Sequence, residues 1–104
     1  MLRSLQYASH AGYGYYVTDR IQVNTNGSHC NDLNIHTSSL YHISGCIKYQ
    51  VNIYDSAGNY DRNSGEQWLC RYPKRWKVLT YNLSDDESYQ IIFFGKVTSF
   101  ILAD

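Results

Sequence analysis

Apolar and polar positions in this chain alternate with period two, and no segment offers a persuasive period of 3.6. The clearest case is residues 47–53. Ile47, Tyr49, Val51 and Ile53 fall on one face, and Lys48, Gln50 and Asn52 on the other, which predicts a strand with one buried and one wet side. Shorter alternating runs predict strands at 13–17, 20–24, 33–37 and 40–43. Residues 68–70 and 76–81 add two more, with Trp76, Val78 and Thr80 opposite Lys77, Leu79 and Tyr81; Trp76, sharing Val78's face, is expected to point into the core. Residues 89–94 are apolar on both faces, as a central strand requires, and 97–102 closes the sheet.

Turn chemistry punctuates these runs. Asn24-Thr25-Asn26-Gly27 and Asp55-Ser56-Ala57-Gly58-Asn59 are hairpin signals, because Asn-Gly and Gly tolerate positive φ. The polar stretch up to Gly65 reads as a mobile loop, and 82–88 as an acidic one. Residues 1–12 read as a loosely attached segment, with at most one helical turn over 2–9. The sum is one all-β domain over 1–104: an antiparallel β-sandwich or small barrel of about seven to nine short strands.

With 104 residues, such a chain buries a real core without metals. Nine Lys and Arg balance nine Asp and Glu, so there is no global field for nucleic acid, and any anion binding must be local. No apolar run is long enough for a membrane span. The Tyr-, Ser- and Asn-rich composition, with only four Lys and two Glu, together with sequons at Asn26 and Asn82, leans towards a secreted protein, the alternative being a cytoplasmic one with three reduced cysteines. Residues 1–12 carry no apolar core of a signal peptide, so the expectation is a mature chain. Cys30, Cys46 and Cys70 permit one disulfide and one leftover thiol. Cys30–Cys46 and Cys46–Cys70 are both open pairings. The spare thiol or an edge strand could join two copies.

The most pointed chemical feature is Arg71-Tyr72-Pro73-Lys74-Arg75-Trp76-Lys77, with Trp68 close by. Guanidinium groups fork onto carboxylate, sulfate or phosphate, and aromatic faces stack on sugars. Trp68, Arg71, Tyr72, Lys74 and Arg75 are therefore the candidate ligand-binding residues. The acidic Asp85-Asp86-Glu87 could neutralise them if both loops share one end. Tyr13, Tyr15 and Tyr16, among Gly12 and Gly14, could form an aromatic strip.

Other chemistry is weaker. Asp55, Asn59, Asp61, Asn63 and Glu66 superficially resemble a calcium loop, but Tyr60 stands where the required Gly belongs. His10, His29, His36 and His42 with Cys30 and Cys46 lack zinc spacing. A Cys–His nucleophile pair would need Cys46 or Cys70 near a His. No nucleophile elbow, phosphate loop or placed carboxylate pair appears, so no catalytic, metal or cofactor site is assigned. The expected function is a small secreted module binding carbohydrate or another anionic surface ligand. The rival is a secreted effector acting on a protein (toxin, antimicrobial or inhibitor) through residues 55–66 or a sheet edge.

Overall fold

The computed structural model describes residues 2–23 and 32–103. Within them lie ten strands: β1 (Leu2–Gly12), β2 (Tyr15–Thr18), β3 (Ile21–Gln22), β4 (Leu33–His36), β5 (Cys46–Tyr54), β6 (Tyr60–Asn63), β7 (Gln67–Cys70), β8 (Trp76–Thr80), β9 (Ser88–Phe93) and β10 (Ser99–Ala103). All pairings are antiparallel, and the strand order is β6-β5-β9-β2-β1-β10-β4-β8, with β3 also on β9 and β7 also on β5. The sheet curls into a half-barrel, in keeping with the all-β expectation.

The curl encloses one core. Tyr49, Val51 and Ile53 of β5, Tyr89, Ile91 and Phe93 of β9, and Phe100 and Leu102 of β10 are buried, while Lys48 is exposed. This is the two-faced pattern predicted for 47–53. Phe93 and Phe100 meet edge-to-face at 5.1 Å, linking two parts of the sheet. Each such fully buried ring contributes roughly 1.5–3 kcal/mol relative to exposure. β9 lies between β5 on one side and β2 and β3 on the other, and although its run is apolar on both faces, burial alternates: Tyr89, Ile91 and Phe93 are buried while Gln90 and Ile92 are half-buried on the outer face.

Cys46 and Cys70 stand directly opposite each other on β5 and β7 and form a disulfide, with Cα atoms 4.0 Å apart. Cys46 is therefore not available to Cys30, which lies outside the described residues. A bridge across 24 positions is worth about 3.5 kcal/mol in the chain-entropy model. It also removes both thiols needed for the Cys–His nucleophile reading.

Several local expectations change. Residues 2–12, read as loosely attached with one helical turn at most, form strand β1, paired with both β2 and β10. The strand predicted at 13–17 starts only at Tyr15, because Gly12, Tyr13 and Gly14 all take positive φ (97°, 49° and 82°) to make the β1–β2 turn. Two glycines around one tyrosine suit that geometry, since the left-handed region carries little penalty without Cβ. Residues 40–43 are not a strand. A 3-10 turn at Thr37–Ser39 and a positive φ at His42 redirect the chain there. The stretch expected as a mobile loop contains β6, whose hairpin turn is organised by Asp55: its Oδ1 accepts from the Ala57 and Asn59 amides. The turn and sequon at residues 24–27, and His29, lie outside the described residues.

Candidate ligand-binding pole

The strand directions sort the loops into two ends. At the Cys46 end of β5 sit the β1–β2 turn, residues 41–45, the β7–β8 loop at 71–75, and residues 94–98. The registers Cys46↔Cys70, His36↔Trp76 and Tyr16↔Phe93 fix this, as does the Arg71 amide donating to the Gly45 carbonyl. At the Tyr54 end sit residues 19–20, 55–59 and 81–87.

This sorting separates charge. Lys48, Arg71, Lys74, Arg75 and Lys96 belong to the first pole, whose four loops contain no Asp or Glu. Asp19, Asp32, Asp55, Asp61, Asp85, Asp86 and Glu87 belong to the second, while Glu66, just before β7, lies between the two. A nine-residue strand spans about 27 Å between them. That is several times the roughly 8 Å screening length at physiological salt. The acidic triplet therefore does not neutralise the basic loop. Instead, Glu87 is buried and holds Arg62 at 2.6 Å and 3.3 Å, with Asp61 on the same guanidinium at 2.7 Å. The hydrogen bond from Arg62 holds the Glu87 carboxyl below its ordinary pKa, against the opposing effect of burial. Arg62 is thus committed to structure, which weakens its use as an effector contact. Arg20 is engaged as well, 3.6 Å above the Tyr54 ring and bonded to the Gly58 carbonyl.

The β7–β8 loop is held from below. Thr37 is fully buried; its amide donates to the Arg75 carbonyl, its hydroxyl to the Pro73 carbonyl, and that same hydroxyl accepts from the Arg75 amide. The Tyr72–Pro73 peptide is cis. This clamp projects Tyr72, Lys74 and Arg75 into solvent. Arg71 behaves differently. It is half-buried and donates to the Ile43 carbonyl at 3.0 Å, and its Nε is enclosed without a partner. Arg71 shapes the pole rather than reaching out from it. Its guanidinium lies 5.8 Å from the Tyr72 ring.

Trp68 is exposed on the outer face of β7, directly beside Lys48, whose ammonium lies 5.3 Å from the indole centre. Trp76 is exposed too, contrary to the expectation that it enters the core. Alternation separates Trp76 and Val78 from Lys77 and Leu79 correctly, but the face of Leu79 is the one that turns inward: Trp76 pairs with His36 and stays outside against its edge at 5.0 Å, and a bulge opposite Leu33 and Asn34 brings Thr80 inward beside Leu79. Of the tyrosine strip, Tyr13 is fully exposed at the turn tip and Tyr15 is partly exposed against Phe94. Tyr16 packs instead against the core. The sequence reading missed Lys48, Lys96 and Tyr41 as members of this pole, because only the strand order brings them beside the loop.

Among the described residues, no group of three or more His, Cys, Asp or Glu side chains gathers as a metal site, and no helix is long and apolar enough to cross a membrane. Comparison with known proteins finds no matching family model, no similar curated protein and no similar solved structure.

Proposed function

We propose that this chain is a secreted binding module for acidic carbohydrate, engaged by the basic, aromatic-tipped pole. The observation that carries this reading is the segregation of charge in a neutral chain: exposed Lys74 and Arg75 share one end with exposed Trp68, Tyr72 and Trp76, the loops at 12–14, 41–45, 71–75 and 94–98 carry no carboxylate, and the nearest acid in sequence to Trp68 is Glu66 at the foot of β7. Cations there attract carboxylate or sulfate groups, and the flat rings supply stacking faces. The Cys46–Cys70 disulfide supports an oxidising compartment. Contacts spread over several loops suit a repeating polyanion, because weak sites gain by avidity.

The test is a binding screen over acidic and neutral polysaccharides, with the wild type beside Lys74→Ala/Arg75→Ala. Selective binding to acidic chains, weakened by salt and by the double substitution, supports the reading. Indifference to every glycan refutes it and turns attention to a protein target.

A further inference from the structure

The curled sheet brings β7 and β8 to opposite sides of a seam that no backbone ladder among the described residues closes. In the seam lies a cleft of about 300 Å³, at the lower end of the roughly 300–1,000 Å³ usual for small-molecule sites. That is room for one sugar ring rather than for a chain.

Its walls are polar and held in place. Ser64 and Gln67 stand on one side, Lys77 and Tyr81 on the other, with Tyr49 reaching in from β5. The Ser64 hydroxyl donates to the Gly65 carbonyl and accepts from the Val51 amide; the Gln67 amide donates to the Ser64 carbonyl. The Tyr49 hydroxyl donates to the Leu79 carbonyl across the seam at 3.0 Å. Lys77 is the single charged side chain in the lining. Tyr81 is mostly exposed and offers a ring for stacking.

Hydroxyl and amide groups around one ammonium complement a polyol carrying a negative charge. We infer that this cleft takes a single sugar residue bearing a carboxylate or sulfate, with the anion on Lys77 and the ring against Tyr81. The inference rests on the carbohydrate reading above but concerns a different place on the molecule.

The experiment is a titration of the full chain followed by amide chemical shifts, using methyl glucuronide, glucose 6-sulfate and methyl glucoside as probes. The expected result is that one or both acidic probes shift the amides of Ser64, Gln67 and residues 77–81, while the neutral glucoside does so at least about tenfold more weakly. The carboxylate and sulfate arms identify which anion is preferred. Lys77→Gln, checked for an unchanged amide spectrum, should weaken acidic-probe binding about tenfold while leaving salt-sensitive binding of an acidic polysaccharide at the pole. Equal response to the neutral glucoside overturns the inference. So do shifts confined to residues 71–75, and so does silence towards all three probes. The last two outcomes, if the polysaccharide still binds, refute the cleft and leave the pole standing.

Discussion

Tyr49 and Leu79 join the two sides of the open seam: the buried phenol of β5 donates to the backbone carbonyl of β8 at 3.0 Å. Burial, and then the neighbouring Tyr81, push the Tyr49 pKa up from 10.0 to about 12. The neutral form is thus favoured in the folded state. The stability associated with it is fully present below pH 10 and is lost as pH rises towards about 12. Two pH units correspond to a loss on the order of 3 kcal/mol. Tyr49→Phe is expected to cost about 1–3 kcal/mol near neutrality, since it strips the Leu79 carbonyl of its donor. The gap between wild type and variant should shrink as pH rises from 10 to 12, read by urea unfolding at each pH. A gap constant to pH 12 contradicts this coupling.

Glu87 gives the opposite sign. Arg62 lowers its pKa from the ordinary value of 4.5, so the carboxylate's contribution is present above that value and is lost as pH falls through the lower folded one. Glu87→Gln should destabilise by about 2 kcal/mol at pH 7, the order of a charge-assisted hydrogen bond. That difference should diminish as pH falls below 4.5, again measured by denaturant unfolding. Were it unchanged down to pH 2, the Arg62–Glu87 pair would not be what anchors residues 82–87.

Thr37 links fold to pole. Its side chain makes two hydrogen bonds to residues 73 and 75 while fully buried, so Thr37→Val leaves both groups short of a partner at similar volume. The expected cost is about 1–3 kcal/mol. Amide exchange should accelerate at Arg75 well before it does in β5 or β9, because the clamp opens locally. Equal acceleration everywhere would mean that Thr37 only adds global stability.

The sequence made the strands legible where one face is wet and the other dry. Residues 47–53 show this best, with Tyr49 and Val51 buried and Lys48 exposed. It also made Trp68, Tyr72, Lys74 and Arg75 visible as a cluster, since they are near neighbours in the chain. Period two does not say which face turns inward, and Trp76 is misassigned for that reason: pairing with β4, which sets Lys77 opposite buried Ile35 and Trp76 opposite His36, decides the matter for β8. Arg71 looks like its basic neighbours in sequence, but its environment is set by the carbonyl of Ile43, 28 positions away. The cleft is illegible from sequence altogether. Its walls come from β5, β7, β8 and the flanking positions Ser64 and Tyr81, and they meet where the curl stops short of closure. The separation of acids from bases is likewise a property of strand direction, since Asp85 and Arg75 lie only ten positions apart along the chain.

The most direct test of the account is charge reversal at the two poles. Lys74→Glu/Arg75→Glu and Asp85→Lys/Asp86→Lys each change net charge by four units, in opposite directions, on exposed side chains. Binding of a fluorescent acidic polysaccharide would be measured for both variants and the wild type, at low and physiological salt. Reversal at the basic pole is expected to abolish binding. Reversal at the acidic pole, about 27 Å away along β5, should leave physiological-salt affinity within a few-fold, because screening confines the effect to its own end. Equal sensitivity to the two reversals would show that net charge alone governs binding, and persistence of binding in the Lys74→Glu/Arg75→Glu variant would place the ligand elsewhere.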